Sequence, residues 1–186
     1  MTPTSVVVDD VLDSKYVSEI YKSIEESTKN SLVPTTSTFY QICDNHLYDD
    51  LCLSVIKVAG QFYDLSSSIG YEFWTRLNTK PSRWHQDSDV ELSKKGILKF
   101  PLCSIVYYCH VENLCGGQLR IESDVITPKT NRMVIFAPGL PHYVEDFVSF
   151  LSFLEYACID KHPLPTILLD YQYKNTLVVL YDSRDI

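Results

Sequence analysis

The sequence predicts an α+β fold that is mainly β, a sandwich or barrel of strands flanked by N-terminal helices. Two observations predict it. Before about residue 70, apolar residues recur at helical spacing in two segments, whereas beyond it short aromatic and β-branched runs alternate with Pro, Gly and Asn. With 186 residues, of which 45% are hydrophobic and 22% charged, the chain has the size and apolar content of one globular domain.

The N-terminal part is predicted to contain one strand and two helices. Residues 5–12, SVVVDDVL, are typical of a short strand, and the helix that follows begins with Asp13 or Ser14 as its N-cap. A polar loop separates this helix from a second helical pattern at about residues 47–66. The apolar stripes of the two helices are Val17, Ile20, Tyr21 and Ile24, and then Leu47, Leu51, Val55, Val58 and Phe62.

The rest of the chain is predicted to form short strands joined by turns. Gly116 and Gly117 predict a tight turn, because glycine adopts positive φ freely. Residues 160–166, DKHPLPT, are the one candidate for a linker, so residues 160–186 are expected to be a C-terminal arm. The predicted strands cover residues 71–78, 101–111, 116–123, 131–138, 142–147, 149–159, 166–171 and 176–182.

Charge and cysteine content exclude several classes of protein. A net charge of −8 leaves no basic excess to neutralise phosphates, so nucleic-acid binding has no electrostatic support. No apolar run reaches the roughly 18 residues of a membrane span, and a cytoplasmic protein that does not enter membranes is expected. Six cysteines without a CxxC pair are predicted to be buried free thiols, namely Cys43, Cys52, Cys103, Cys109, Cys115 and Cys158.

One short motif, RWHQDSDVEL at residues 83–92, indicates a metal site. On a strand, His85 and Asp87 would point to the same face, so an imidazole and a carboxylate would stand side by side. His142 follows a strand that ends in a Pro-Gly turn, at a sheet rim where it can face a neighbouring strand. Two histidines and one carboxylate with open positions are the ligand set of non-haem Fe(II) oxygenases. The alternative is a hydrogen-bonded surface pair; the other histidines, His46, His110 and His162, are expected to be surface or satisfied residues.

The same segments carry a resemblance to a known family. Residues 71–158 resemble the catalytic jelly roll, or double-stranded β-helix, of the 2-oxoglutarate- and Fe(II)-dependent dioxygenases, most closely the prolyl-hydroxylase branch. WHQD stands in the place of that family's HxD motif. The segments CSIVYYCHVENLCGGQLRIES and PKTNRMVIFAPGLPHYVEDF resemble its tyrosine-pair strand, Gly-Gly turn and distal-histidine segment, and SVVVDDVLDSKYVSEI resembles its opening strand and helix.

The resemblance implies an oxidoreductase that couples decarboxylation of 2-oxoglutarate to substrate hydroxylation, with Fe(II), 2-oxoglutarate and O₂ as cofactors and co-substrates and ascorbate as an optional reductant. It implies a protein or peptide substrate, such as a prolyl residue, or a small molecule, and leaves the oligomeric state open. It implies that His85, Asp87 and His142 bind the iron. Tyr108 would hydrogen-bond the distal carboxylate of 2-oxoglutarate, and the pocket would be lined by Leu119 and Phe136.

The resemblance fails at one position. The family carries a basic residue nine or ten positions after its distal histidine, where a guanidinium pairs with the far carboxylate of 2-oxoglutarate, but this chain has Leu151 and Ser152 there. Arg132 is the favoured replacement, and Lys99 and Arg76 are the other candidates. The gap keeps a second function open, a metal-binding jelly-roll module that has lost or changed its co-substrate. A third alternative is an all-β interaction protein without metal.

Overall fold

The computed structural model describes residues 4–29, 38–41, 49–77, 82–111, 114–149 and 174–182. Within these ranges the chain forms three helices and eleven strands, in agreement with the predicted mainly β class. The helices are α1 (Ser14–Lys29), α2 (Asp49–Ala59) and α3 (Val90–Lys94). The strands are β1 (Ser5–Asp9), β2 (Thr38–Gln41), β3 (Ser68–Leu77), β4 (Cys103–His110), β5 (Leu114–Gly116), β6 (Leu119–Ile121), β7 (Asp124–Ile126), β8 (Arg132–Phe136), β9 (His142–Val144), β10 (Phe147–Ser149) and β11 (Lys174–Asp182).

Six of the strands form the main sheet, in the order β1-β8-β4-β11-β3-β2. All of its pairings are antiparallel, and Ile105 of β4 lies opposite Ile135 of β8 on one side and Val178 of β11 on the other. Antiparallel neighbours exchange backbone hydrogen bonds along the whole strand, so β4 and β8 are fixed in register. The predicted strands at 71–78, 101–111 and 131–138 are confirmed as β3, β4 and β8.

The C-terminal strand corrects one expectation. Residues 176–182 were expected to belong to an arm, but β11 lies inside the main sheet and pairs with β3 and β4. The physical reason is in the sequence of the strand itself, because the unbroken apolar run LVVL at residues 177–180 is typical of a strand with both faces covered. The other part of the expected arm, residues 160–173, lies outside the described residues, as do the predicted strand at 166–171 and most of the one at 149–159.

Alternation along β4 divides the interior into two cores. Every second residue from Cys103 to Cys109 belongs to a core shared with the two long helices, in which α1 contributes Val17 and α2 contributes Leu51. The residues between them face the other way, into a second core that β4 shares with β6, β7 and β8. Side chains alternate across a strand with period two, so both faces of the sheet are covered. The second core consists of Val106, Tyr108, Leu119, Ile121, Ile126, Val134 and Phe136.

The two long helices form where the sequence predicts them, with one change in length. The Asp13 carboxylate accepts a hydrogen bond from the backbone N–H of Lys15 at 2.9 Å, so Asp13 rather than Ser14 caps α1. Helix α2 ends at Ala59, before Gly60, whereas the pattern predicted a helix as far as residue 66. Because the chain leaves the helix there, Tyr63 is buried in the first core while Phe62 is exposed.

Two smaller sheets complete the fold. Strands β7, β6 and β9 form the three-stranded sheet, and β10 pairs with β5. Gly116, the last residue of β5, and Gly117 have φ of 88° and 71°, so the connection to β6 uses the left-handed region open to glycine. The glycines therefore allow the chain to pass from the two-stranded sheet to the three-stranded one.

Three of the four described cysteines agree with the prediction of buried thiols. Cys52, Cys103 and Cys109 are buried free thiols, and Cys115 is free but exposed, contrary to expectation. Burial raises the pKa of Cys103 to about 12, so this group is a neutral thiol at pH 7. Among the described residues, no helix combines the length and the apolar character needed to cross a bilayer.

A buried polar network joins the N-terminal segment to the main sheet. The Asn131 side chain accepts from the Leu12 N–H at 3.0 Å and donates to the Leu12 carbonyl at 2.7 Å, and the Tyr107 hydroxyl donates to Asn131 Oδ1 at 2.9 Å. Asn131 has a φ of 60°, a conformation that asparagine tolerates better than most residues. Asn131 thus combines a turn conformation with three hydrogen bonds, of which the one from Tyr107 is buried and the two with Leu12 are partly buried.

We expect Asn131→Gly to lower the free energy of unfolding by about 2–3 kcal/mol, because it leaves buried groups of Leu12 and Tyr107 without their partner. Asn131→Ala should cost about 1 kcal/mol more, since alanine is strained at positive φ. Urea unfolding measures both values. Tyr107→Phe is the matched control, which removes only one of the three bonds and should cost about 1 kcal/mol. Equal losses in the Gly and Ala variants would contradict the conformational part of this argument.

Candidate metal centre

A single backbone bridge brings the two predicted histidine ligands together. His85 N–H donates to the His142 carbonyl at 3.0 Å, and His142 N–H donates to the His85 carbonyl at 2.9 Å. Residues paired in this way across an antiparallel bridge project their side chains to the same side. The two imidazole rings accordingly lie close together, with centroids 4.2 Å apart.

Asp87 completes the group predicted from the sequence. Its Oδ1 lies 3.9 Å from His85 Nε2, and its Oδ2 lies 3.7 Å from His142 Nε2. One ligand atom from each residue lies within 4.8 Å of the other two, and among the described residues this is the single cluster of His, Cys, Asp or Glu with such spacing. The Asp87 and His142 side chains are buried, whereas that of His85 is 38% exposed. The site is therefore open on the side of His85.

Both imidazoles are oriented by the backbone. His85 Nδ1 lies 2.8 Å from the Arg83 carbonyl, and His142 Nδ1 lies 3.0 Å from the Leu140 carbonyl. A carbonyl can only accept, so each Nδ1 carries the proton, and in the neutral ring the lone pair is then on Nε2. Both lone pairs belong to the nitrogens nearest Asp87. Metal-binding histidines commonly have one ring nitrogen hydrogen-bonded to an acceptor in this way.

Ser104 orients the carboxylate in the same manner. Its hydroxyl donates to Asp87 Oδ2 at 2.6 Å, and both groups are buried. Ser104 lies on β4, on the face opposite Cys103 and Ile105, so alternation along this strand directs its hydroxyl to the site. Ser104 is not among the site residues predicted from the sequence. The signal was available, because Ser104 has the same strand parity as Tyr108 and is the one serine or threonine in the apolar run of β4.

Apolar side chains from the second core border the site. The Phe136 ring meets the His142 ring edge to face at 4.7 Å between centroids. Ile121 of β6 lies opposite His142 of β9, and Leu119 is two residues away on the same face. Tyr108, Leu119 and Phe136, which were expected to line a pocket, are all buried in this core. The structure thus places the three predicted lining residues on the face of the sheets that carries the histidines.

Arg132, the favoured carboxylate anchor, forms an ion pair in the structure. Its Nε and a terminal nitrogen donate to the two oxygens of Asp9 at 2.6 and 2.9 Å, and the other terminal nitrogen donates to the Thr127 carbonyl at 2.7 Å. These bonds use three of the five N–H groups of the guanidinium, so Arg132 is held in an ion pair with Asp9, and its role as the anchor of a carboxylate ligand stays a prediction. Its function in the fold is to tie β8 to β1, because Asp9 is its partner in both backbone register and side-chain pairing.

The remaining candidates are only partly described. Lys99 is half-buried, and its carbonyl accepts from Asp89 N–H at 2.9 Å. Arg76 lies on β3, and its side chain is not among the described ones. His110 is remote from the cluster, with its ring 4.3 Å from that of Tyr21 on α1. The positions His46, Leu151, Ser152 and His162 lie outside the described residues.

The segment after Asp87 contains a helix that the sequence analysis treated as a loop. Helix α3 begins after Asp89, whose side chain accepts from the Leu92 N–H at 2.8 Å. Asp89 N–H also donates to the Lys99 carbonyl, so the two ends of residues 89–99 are joined by a hydrogen bond. The N-cap was a readable signal, but five residues are too few for an apolar stripe to be seen.

Comparison with known proteins gives matches among solved structures alone. No protein-family model matches the chain, and no curated protein sequence matches it. A prolyl-4-hydroxylase of Pseudomonas putida is similar with a TM-score of 0.64 and 13% identity, over 97% of this chain and 94% of that one. A Trichoplax adhaerens prolyl hydroxylase, in complex with a hypoxia-inducible-factor peptide fragment, has a TM-score of 0.62 and 12% identity over 97% and 84%. The viral collagen prolyl hydroxylase of Paramecium bursaria Chlorella virus-1 has a TM-score of 0.57 and 12% identity over 96% of both chains.

These likenesses extend over nearly the whole chain and confirm the suspected fold relationship to the prolyl hydroxylases and 2-oxoglutarate and Fe(II) oxygenases. At 10–13% identity they concern the fold. The chemistry has to be argued from the side chains of the cluster.

The contribution of the Asp9 ion pair to the free energy of unfolding is expected to depend on pH. Hydrogen bonds from Arg132, and then from Lys129, hold the pKa of Asp9 well below its usual range. Such a group stabilises the fold above its unfolded pKa, and the stabilisation is lost as the pH falls towards its folded pKa. We expect Asp9→Asn to cost about 1 kcal/mol at pH 7, a small value because the pair is partly exposed.

The difference between wild type and Asp9→Asn should shrink as the pH falls from about 5 to 2, and urea unfolding across this range measures it. Lys129→Met is the control and should cost less, since Lys129 makes the weaker of the two contributions. A difference that stays constant from pH 7 to pH 2 would contradict the assignment.

Proposed function

We propose that this protein is a non-haem Fe(II) dioxygenase that couples oxidative decarboxylation of 2-oxoglutarate to succinate with hydroxylation of a substrate C–H bond. The observation that carries the proposal is the arrangement of His85, Asp87 and His142, in which both imidazoles direct Nε2 to one carboxylate. We further propose that residues 1–186 form a single domain with a jelly-roll core. The fold likeness to prolyl hydroxylases supports this part.

The donor set fits Fe(II). Two imidazole nitrogens and one carboxylate oxygen suit this metal, and three protein ligands leave coordination positions open. A closed structural zinc site usually has four ligands and often contains thiolates, and the cluster in the described residues has three members and no cysteine. The hydrogen bonds from Ser104 and to the Arg83 and Leu140 carbonyls would keep the three side chains in their binding orientation.

The chain's own residues would bind and orient the iron and 2-oxoglutarate and would shield them from water. When bound, iron and 2-oxoglutarate supply the activation of O₂ for the oxidation. Phe136 and Leu119, both buried, provide an apolar wall beside His142 that excludes water from this side of the site. His85 stands at the exposed side, so we propose that the substrate enters there.

Tyr108 is the proposed partner of the distal carboxylate of 2-oxoglutarate. It lies on the same face of β4 as Ser104, in the core shared with Phe136. The positively charged partner would be Lys99 or Arg76, because Arg132 is already bound to Asp9. We propose a prolyl residue of a protein or peptide as the substrate, with a small molecule as the alternative. The peptide held by the Trichoplax adhaerens enzyme supports a peptide substrate.

The metal site is tested by binding without turnover. Asp87→Ala should abolish measurable Fe(II) binding under anaerobic conditions, because it removes the charged ligand, and Mn(II) should behave alike in a calorimetric titration. Ser104→Ala should weaken binding about tenfold, since it removes only the hydrogen bond that orients the carboxylate. Ser104→Thr keeps the hydroxyl and is the matched control. Unchanged Fe(II) affinity in Asp87→Ala would count against the site.

The co-substrate is tested by the products. Fe(II)-loaded protein should convert 2-oxoglutarate to succinate in an O₂-dependent manner. Tyr108→Phe should raise the dissociation constant of 2-oxoglutarate roughly tenfold to a hundredfold, because a hydrogen bond to a charged group contributes about 1.5–3 kcal/mol. The same variant should keep its Fe(II) affinity. Of Lys99→Met and Arg76→Gln, the variant that removes the true anchor should show the larger loss, and Arg132→Gln should show none beyond its effect on stability.

A second function is favoured by one observation. The usual basic position is occupied by Leu151 and Ser152, and the guanidinium of Arg132 is engaged elsewhere. A metal-binding module with lost or altered co-substrate use would need no such anchor. Tight Fe(II) binding together with no 2-oxoglutarate binding at millimolar concentration would decide for this module.

A further inference from the structure

The two histidine segments are joined by very little backbone structure. His85 and His142 form an isolated bridge, and residues 82–84 and 86–89 belong to no strand. Metal ligands have to be held within about 0.5 Å of their binding geometry. Contacts other than the ladder must therefore hold the His85 segment against β9.

One such contact lies directly behind the ligands. Trp84 and Tyr143 are the next pair along the bridge, and alternation directs their side chains away from the side occupied by the histidines. Their ring centroids are 4.4 Å apart with an interplanar angle of 52°. Tilted aromatic pairs at this distance are stabilising beyond the area that they bury. A second contact, from Val144 N–H to the Ser82 hydroxyl at 2.7 Å, joins the same two segments.

We infer that Trp84 and Tyr143 form an aromatic pin that positions His85 against His142 and so sets the affinity of the metal site. Both are positioning residues, since neither carries a ligand atom of the cluster. Trp84 is 54% exposed, although tryptophan is highly buried on average, so burial alone does not account for its position. Its place beside a ligand on one segment, and that of Tyr143 beside a ligand on the other, give the contact this positioning role.

The part of the inference that concerns metal affinity rests on the proposed function, but its backbone part does not. The bridge hydrogen bonds can be followed in metal-free protein through the amide protons of His85 and His142. If the pin holds the segments, these two amides should exchange roughly two- to tenfold faster in Trp84→Ala, the factor expected for loss of one aromatic pair. Exchange at Val106, in the centre of β4, should not change.

The metal arm uses Mn(II) titrated by calorimetry. Trp84→Ala and Tyr143→Ala should each raise the Mn(II) dissociation constant about tenfold, within the range found for residues that support metal ligands. Because both variants break the same contact, the double variant should lose no more Mn(II) affinity than either single variant. Trp84→Phe, which retains a ring, should stay within about twofold of wild type.

Val125→Ala is the matched control, since Val125 is an exposed apolar residue, 49% accessible, on the same small sheet but separated from Tyr143 by Arg120 of the intervening strand. It should change neither exchange at the bridge nor Mn(II) affinity. Wild-type Mn(II) affinity and wild-type amide exchange in Trp84→Ala would overturn the inference. An equal loss of Mn(II) affinity in Trp84→Ala and Trp84→Phe would also overturn it. Absence of Mn(II) and Fe(II) binding by wild type would instead overturn the proposed function, and exchange at His85 and His142 would still decide whether the pin exists.

Discussion

Alternation along β4 and β8 is the constraint on which the structure depends. A side chain on either strand must face the helices or the three-stranded sheet, and adjacent residues cannot share a side. The run from Cys103 to Cys109 is buried at every position, so each face needs its own cover. The helices supply one cover and the small sheets the other. Ser104 can reach Asp87 because its neighbours, Cys103 and Ile105, fill the opposite core.

The candidate centre is assembled from three separate parts of the chain, and each part fixes one property. The backbone bridge between His85 and His142 fixes the distance between two ligands, while the Arg83 and Leu140 carbonyls fix which nitrogen of each ring is available. β4 contributes the hydroxyl that orients the carboxylate. Polar groups of this kind stay ordered inside a protein when each has a partner, and here the partners come from the scaffold rather than from other ligands.

The sequence was most informative where one residue type or one short spacing decides the structure. The N-cap of α1 was predicted as Asp13 or Ser14, and the positive φ of Gly116 and the pairing of His85 with Asp87 were predicted as well. The pair was expected on a strand, but residues 86–89 belong to no strand. Long-range pairing was not predictable. Nothing near Arg132 in the sequence shows that Asp9, 123 residues away, binds its guanidinium. Nor does the LVVL run reveal between which strands β11 lies.

The position of β11 has a consequence for how the chain folds. β3 and β4 are not neighbours in the sheet; both pair with β11, whose residues are made after those of every other described strand. During synthesis, one edge of β3 and one edge of β4 stay unpaired until β11 has been made. Such open edges are prone to pair with the wrong strand. The long separation in sequence also makes closure slow, because the entropy of the intervening loop is lost before the new contacts form. Completion of the main sheet is therefore a late event, and a nascent chain that lacks residues 174–182 has an interrupted sheet rather than a shortened one.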